Sequence, residues 1–564
     1  MNILGITHKF AFNSAACLIC DGELVAFAEE ERFTREKQAP QKFPSEAIDH
    51  CLKEAGLSAS DIHEVAVGFN KIEDVWKTVS SVAFADYCNH DFERIEFCRG
   101  PDFEIYFEAD MIRDIHLHGL PVGNITWHDH HDCHVASAVA TCNFGEKVLN
   151  TEGCNYISLD GDGGKSCGRT GFFDGKNLRP DEYFHCIGSI GCFYEEITKF
   201  LGFKQHQGEG KVMGLASYGK YDDHLLPRNL FFRNKGGVLQ LDRNLTVDRL
   251  KELETKGIQK KIQEDILCDE SVNLAHTAQK YLEEVLIDAA KNLAEKNKCG
   301  NFALSGGSLL NCSANGKLLE QTFVDRLFIQ PASHDAGTAL GAAILSHAHT
   351  INKIPQYPFA TAYCGSFFPT SSVEEYLASQ QGISYRAVNA AQTLALLIKE
   401  DYVVGYFDGR AEIGPRALCH RSILANPTKK DNLDRVNKIK GREFWRPLAP
   451  VIREDRFHDI VDMKHLSPFM LIAGEVKKDW RSKIPAVTHI DDTCRPQSVN
   501  ETQNRTIYEA LSIFEKDSGC PVFMNTSFNL RGEPIVDSPE DAVNTFLNSK
   551  LDYLLIQGFL VERI

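Results

Sequence analysis

The chain has 564 residues, 43% of them hydrophobic and 25% charged, with a formal net charge of -17 at pH 7. That length allows more than one core, and the composition is that of an ordinary globular protein. The negative balance argues against a general nucleic-acid binder, which needs a basic field to release counterions. No run of about 18 apolar residues, the length that spans a bilayer, occurs.

The opening MNILGITHKF lacks the basic-then-apolar pattern of an export signal. The 18 cysteines are scattered, and most sit in apolar settings such as Cys142, Cys268 and Cys312. They read as reduced thiols of a cytoplasmic protein rather than as a disulfide framework. Cys17 and Cys20 form a C-x-x-C, but the run SAACLIC reads as a strand. Residues three apart on a strand point to opposite faces, so no metal or redox pair is expected there.

Asn2 to Thr7 and Ala15 to Cys20 are predicted strands. Asp21-Gly22 follows, then a third apolar run from Glu23 to Ala28. Asp-Gly between apolar runs predicts a hairpin. A second segment repeats the layout. Tyr156 to Leu159 leads into Asp160-Gly-Asp-Gly-Gly164, then Thr170 to Phe173, then Asp174-Gly175. Thr7 precedes Asp21 by the same offset that Asp160 precedes Asp174, a weak internal repeat. Duplicated folds of the actin and sugar-kinase type open each half in this way and hold a nucleotide between the halves.

Leu274 to Lys296 has apolar residues at three- and four-residue spacing and predicts an amphipathic helix. Phe302 to Leu304 is a strand entering Ser305-Gly-Gly-Ser308, and Asp335 to Ala348 opens a helix on small residues. The irregular stretch from about 350 to 369, with Pro355, Pro358 and Pro369, is the best linker. Beyond it, Tyr402 to Phe407, Val522 to Met524 and Leu551 to Ile556 read as strands of a separate α+β unit.

Three constellations carry chemistry. In His128-Asp-His-His-Asp-Cys-His134, residues 130 and 134 share a helix face, a metal-ligand spacing. His131 could replace His130 at three-residue spacing. Asp160 and Asp335, beside glycine-rich loops, are candidate carboxylate ligands. A mixed His and carboxylate set suits Fe(II), Mn or Zn. Ser305-Gly-Gly-Ser-Leu-Leu-Asn311 is a strand-to-helix turn of the kind that lines a nucleotide.

The third is Gly405 to Arg446, which holds ten Lys and Arg against five acids, near +5 in a chain of -17. Lys429, Lys430 and Arg435 read as a solvated face. Arg416, after Gly-Pro, and Arg446, between Trp445 and Pro447, look ordered. Arg presents a planar fork suited to phosphate. Arg495, Asn525 and Arg531 add donors downstream.

On these residues the chain resembles the O-carbamoyltransferases of the NodU, CmcH and TobZ type. Nearly the whole length matches, through AEEERFTREK, HHDCHVASA, LDGDGG, GEGKVMGLASYG, LSGGSLLN, SHDAGTALGAA, GRAEIGPRALCHRSI, FWRPLAPVI and MNTSFNLRGEPIV. The resemblance implies an N-terminal actin-like domain (duplicated ribonuclease-H-like, of the ASKHA type) over 1–355 and a C-terminal YrdC-like domain over 356–564. The second would make carbamoyl-adenylate from carbamoyl phosphate and ATP with Mg2+. The first would pass the carbamoyl group to a hydroxyl of a small natural-product acceptor at an Fe2+ (or Mn2+ or Zn2+) site.

Carried over by motif, His130, His134, Asp160 and Asp335 are the implied metal ligands. Arg416, Lys440, Arg446, Arg495, Asn525 and Arg531 form the implied adenylate pocket. Gly163, Gly164, Gly306, Gly307 and Asn311 form the second nucleotide site, while Lys37, Glu209 and Lys211 fall near the transfer site. Among all of these, Lys37, Arg416 and Arg446 are expected to act in catalysis. One departure stands out. The family has His-Asp before Ser-Ala-Ala, where this chain reads Ala11-Phe12-Asn13-Ser14. His8, three residues earlier, is the expected substitute. A homodimer, and no nucleic-acid or membrane partner, complete the expectation. The rival readings are a sugar kinase or adenylating enzyme with an accessory domain, a nucleotide-sensing protein of the actin type, and a metallohydrolase.

Overall fold

The structure is a computed structural model that describes residues 1–9, 11–71, 101–164, 166–258 and 267–564. The first five strands are β1 (Asn2–Ile6), β2 (Ala15–Cys20), β3 (Glu23–Glu29), β4 (Glu64–Val67) and β5 (Ile125–Trp127). They form one sheet in the order β3-β2-β1-β4-β5. The β1–β2 and β2–β3 pairs are antiparallel, whereas β4 lies parallel to both β1 and β5.

A second sheet repeats this plan with β6 (Cys154–Leu159), β7 (Gly168–Phe173), β8 (Leu178–Phe184), β11 (Asn301–Ser305) and β12 (Arg326–Ile329). Its order from the other edge is β8-β7-β6-β11-β12. Here too the first three strands pair antiparallel and the last two add in parallel. Thr7 and Asp160 therefore follow the first strand of equivalent sheets, and the faint sequence repeat is a duplicated fold of the actin-like kind. Between the halves of this repeat, β9 (Phe231–Arg233) and β10 (Leu239–Leu241) form a separate two-stranded ribbon.

Local chemistry explains the elements. Asp21 and Gly22 both take positive φ, 48° and 88°, the conformation that a two-residue hairpin turn with the strands' own twist requires. The second Asp-Gly opens a longer loop instead. There Asp174 Oδ1 accepts from the amides of Lys176 and Asn177. Cys17 is fully buried and Cys20 packs against a different apolar cluster, as opposite faces of β2 require. All sixteen cysteines among the described residues are free thiols. No helix among them is long and apolar enough to cross a membrane.

Six helices position the site: α1 (His130–Thr141), α2 (Ile190–Phe200), α3 (Glu209–Ala216), α4 (Asp269–Asn297), α5 (Cys312–Leu319) and α6 (Ala336–Ile351). Helix α6 lies against β1 and α1 at backbone distance. A Cβ on Gly5 would stand 2.0 Å from the Ala339 carbonyl, and one on Gly341 would stand 1.9 Å from that of Cys133. Only glycine permits either approach.

The predicted linker runs along the end of α1, where the amides of Tyr357 and Phe359 donate to Ala140 and Thr141. Beyond it lies an eight-stranded mixed sheet in the order β13-β23-β22-β14-β15-β21-β16-β20. These strands are β13 (Ile383–Ala387), β14 (Val404–Phe407), β15 (Arg421–Ala425), β16 (Ala449–Arg453), β20 (Gln497–Val499), β21 (Val522–Ser527), β22 (Tyr553–Ile556) and β23 (Phe559–Arg563). A small sheet of β17 (Val461–Asp462), β18 (Gly474–Val476) and β19 (Thr493–Cys494) flanks it.

Candidate active site

Asp129 caps α1 by accepting from the Asp132 amide at 3.0 Å, so the helix begins at His130. From that start His130 and His134 rise on one face, one turn apart. Asp160 stands at the exit of β6 and Asp335 at the start of α6. One ligand atom from each of the four lies within 4.8 Å of the others. His134 Nε2 is 3.1 Å from Asp160 Oδ2 and 3.8 Å from Asp335 Oδ1. His130 Nε2 is 3.2 Å from His134 Nε2 and 3.6 Å from Asp335 Oδ1.

The surrounding groups aim these donors. Ser305 Oγ meets His134 Nδ1 at 3.2 Å, turning Nε2 inward. The amides of Gly161 and Gly307 donate to Asp160, and that of Phe12 donates to Asp335 Oδ2. A Cβ on Gly163 would come 2.4 Å from His131 Nε2 and 2.8 Å from His130 Cδ2, so the loop closes on the histidines only as glycine. His131 bonds Ser158 Oγ and the Ser166 carbonyl and does not join the cluster. His128 bonds Ser346 Oγ.

The donor set fits a cation. Burial alone would keep His134 neutral, yet hydrogen bonds and charge from Asp160 and Asp335 push its pKa up to about 9. Two imidazoles and two half-buried carboxylates converging within 4.8 Å leave a negative charge that a metal ion would offset.

A second centre is cationic. Arg416, Arg442, Arg446 and Arg495 crowd together from the C-terminal half. Burial, then Arg495 and Arg446, push Arg416 down to about 9. Burial, then Arg446, Arg495 and Arg416, hold Arg442 well below the usual arginine range. Arginine does not give up its proton in proteins, so such crowding is relieved by a bound anion. The Nε atoms of Arg416 and Arg495 are buried without a hydrogen-bond partner among the described residues. Arg531 adds its charge to that felt by Arg446.

The N-terminal half contributes to the same centre. The pKa of Lys37 is lowered by burial against the opposing pull of Glu31, with Arg446, Arg442 and Lys211 pressing it further down. Lys211 Nζ bonds Glu443 Oε1 at 2.8 Å, and Arg416 donates to the Leu310 carbonyl beside the Ser305–Asn311 turn.

Models of the carbamoyltransferase N-terminus and C-terminus match residues 2–344 and 395–563. The chain belongs to the carbamoyltransferase family. It is 33% identical to nodulation protein NolNO of Sinorhizobium fredii, over all of this chain and 80% of that one. An uncharacterized Synechocystis protein is 32% identical over all of this chain and 97% of its own. Among solved structures, T. kodakarensis HypF aligns at 13% identity and TM-score 0.35, covering 62% of this chain and 48% of that one. As a carbamoyltransferase this chain is an enzyme, and the kinase, sensor and hydrolase readings fall away.

The remaining predicted residues scatter by role. Lys440 of this carbamoyltransferase spends its ammonium on Ser527 and Asn529, tying down the loop after β21. Asn525 donates to Gln497 and Ala417, while its Oδ1 is buried and unpartnered among the described residues. Gly306 turns the chain at φ +108° against the Leu159 backbone, and Gly307 after it lies beside the Asp160 carboxylate. Gly164 donates to Asp162 Oδ1. Asn311 caps α5 and exchanges both amide hydrogen bonds with Gln279 of α4. Glu209 accepts from the His206 amide.

His8 departs from expectation. It is 0% exposed, with Phe69 and Trp127 against its ring, and burial holds it neutral. A ring so enclosed offers no surface to an acceptor. Sequence reasoning counted Arg442 among the ten cations of the basic run but did not assign it to the pocket. It also missed Ser305 as the group that orients His134.

Proposed function

We propose that the enzyme first makes carbamoyl-adenylate and then carbamoylates a hydroxyl of a small-molecule acceptor. Residues 356–564 carry the first step and residues 1–355 the second. Carbamoyl phosphate loses its phosphate to water, and the resulting carbamate oxygen attacks the α-phosphorus of ATP. The α–β bond breaks and pyrophosphate leaves. Arg416, Arg442, Arg446 and Arg495 hold the phosphates and offset the charge that builds at phosphorus. Lys37 and Lys211 close that pocket from the N-terminal half. The observation that carries this reading is the mutual crowding of four arginines, which calls for several negative charges at once.

His130, His134, Asp160 and Asp335 would hold an Fe2+, Mn2+ or Zn2+ ion. When bound, such an ion polarises a carbonyl oxygen. Ser305 fixes the His134 ring, and the Gly161, Gly307 and Phe12 amides hold the carboxylates. The loops bearing Gly163 and Gly306 would flank the adenylate.

A direct test mixes protein, Mg-ATP and carbamoyl phosphate and follows pyrophosphate. Arg446→Ala should abolish its release. His134→Ala should leave release within about two-fold while stopping carbamoylation, because the pocket supplies the first step alone. Equal loss of both activities in His134→Ala would refute this division of labour.

A further inference from the structure

One histidine outside the metal cluster is built into its rim. His206 lies just ahead of α3 with φ +61°, a left-handed conformation uncommon for a residue with a side chain. Three contacts hold it there. Its amide donates to Glu209 Oε1 at 2.8 Å, its carbonyl accepts from the Gln38 side chain, and its ring stacks on Phe12 with centroids 3.7 Å apart. Backbone held in such a region by its surroundings is a feature of functional sites.

The ring is also oriented. Its Nδ1 lies 3.2 Å from Glu195 Oε1, so Nδ1–H donates to that carboxylate and Nε2 is left as an acceptor. No hydrogen bond to Nε2 occurs among the described residues, and about a third of the side chain (34%) is exposed.

His206 is one side chain removed from two of the cation-binding carboxylates. Phe12, on which it stacks, donates its amide to Asp335. Glu195, which orients it, packs against Gly161, whose amide donates to Asp160. A partly exposed, oriented imidazole thus lies one side chain away from the place where the carbamoyl group would be passed on.

We propose that His206, oriented by Glu195, is the general base that takes the proton from the acceptor hydroxyl during carbamoyl transfer. The inference rests on the transfer reaction proposed above. The acceptor oxygen forms its bond to the carbamoyl carbon, the bond from that carbon to the AMP phosphate oxygen breaks, and AMP leaves. The hydroxyl proton passes to His206 Nε2 and then to solvent. A carboxylate behind the imidazole fixes its tautomer and stabilises the imidazolium that forms.

Burial would lower the pKa of His206, and the facing loop that brings Gln38 also carries Lys37. Glu195, Glu209 and Asp335 nevertheless raise it above the ordinary value of 6.5. The base works when neutral. Transfer should therefore fall on the acid side of a limb that lies above that value, and removing the Glu195 charge should move the limb to lower pH.

Glycerol serves as the probe alcohol, with iron-loaded enzyme, Mg-ATP and carbamoyl phosphate. Pyrophosphate and carbamoyl-glycerol are measured in single turnover. His206→Gln should release pyrophosphate within about two-fold of wild type and retain its iron, yet form carbamoyl-glycerol some 10²–10⁴-fold more slowly. Added imidazole should restore part of the rate in His206→Ala. Glu195→Gln should shift the acid limb downward. Carbamoyl-glycerol formed at the wild-type rate by His206→Gln, or a limb unmoved by Glu195→Gln, overturns the proposal. Absence of pyrophosphate from the wild-type reaction removes the adenylate reading and this inference with it.

Discussion

Two neighbouring cations, Lys440 and Arg442, show how environment divides labour within one basic run. Lys440 is held well below the usual lysine range by burial, then by Arg442, Arg446 and Lys37. It answers that cost with hydrogen bonds to Ser527 and Asn529. Arg442 bears the same repulsion, and its guanidinium has no acceptor among the described residues. A group so placed lowers stability in order to bind. Arg442→Ala should therefore stabilise the ligand-free protein by about 1 kcal/mol while weakening ATP binding. Thermal unfolding with and without pyrophosphate checks this. Pyrophosphate should raise the wild-type Tm more than the variant's, since a ligand that binds only the folded state stabilises it. A lower ligand-free Tm in the variant would show that Arg442 is structural. The sequence could count ten cations, but burial and facing partners, which separate these two, are properties of the fold.

The elements behind the candidate metal site were legible to different degrees. Four histidines within seven residues and the small-residue opening of α6 were plain in the sequence, and both helices form. Which histidine of 130 and 131 joins the cluster was open, because Ser158 and the Ser166 carbonyl, which draw His131 away, are distant in the chain. In the C-terminal sheet, the apolar runs Tyr402 to Phe407, Val522 to Met524 and Leu551 to Ile556 predict strands, and β14 (Val404–Phe407), β21 (Val522–Ser527) and β22 (Tyr553–Ile556) form there. Strand β16 escaped because Pro450 lies within it, and β15 because it opens on Arg421, a buried cation whose guanidinium donates to the Asp408, Gly409 and Asp537 carbonyls. The small residues of α6 have a purpose the pattern could not state: they let its backbone approach α1 closely enough to set Asp335 beside His130. Gly341→Ala would drive a methyl into the Cys133 carbonyl, 1.9 Å away. Prying the helices apart should cost about 1–3 kcal/mol, the usual range for overpacking. It should also loosen metal binding at least ten-fold, since ligand geometry tolerates little displacement. Tm and metal content after dialysis test the pair. Lost stability with undiminished affinity would show that α6 does not set the geometry of the site.

The two centres are joined by a buried ion pair at the seam between the halves. Arg32 donates to the Gly414 carbonyl at 2.7 Å and lies 3.5 Å from Glu29 Oε1. Glu29 accepts from the Gly414 amide at 2.6 Å and lies 3.4 Å from His334 Nε2. Gly414 stands two residues before Arg416, and His334 directly precedes Asp335. One carboxylate therefore touches both the loop that carries the first arginine of the cationic pocket and the loop that carries a candidate metal ligand. Gly414 fits there at φ +85° with the Pro331 carbonyl 2.3 Å from where a Cβ would stand. Removing one partner of a buried pair leaves the other charge uncompensated, at a cost of about 3–5 kcal/mol. Arg32→Ala should then do what neither Arg446→Ala nor His134→Ala does. It should reduce pyrophosphate release and metal retention together, because both loops lose a common anchor. Measuring the two on one preparation decides the matter. A variant that loses stability yet keeps both at wild-type levels would mean that each loop is held by its own half, and that the seam only holds the halves together.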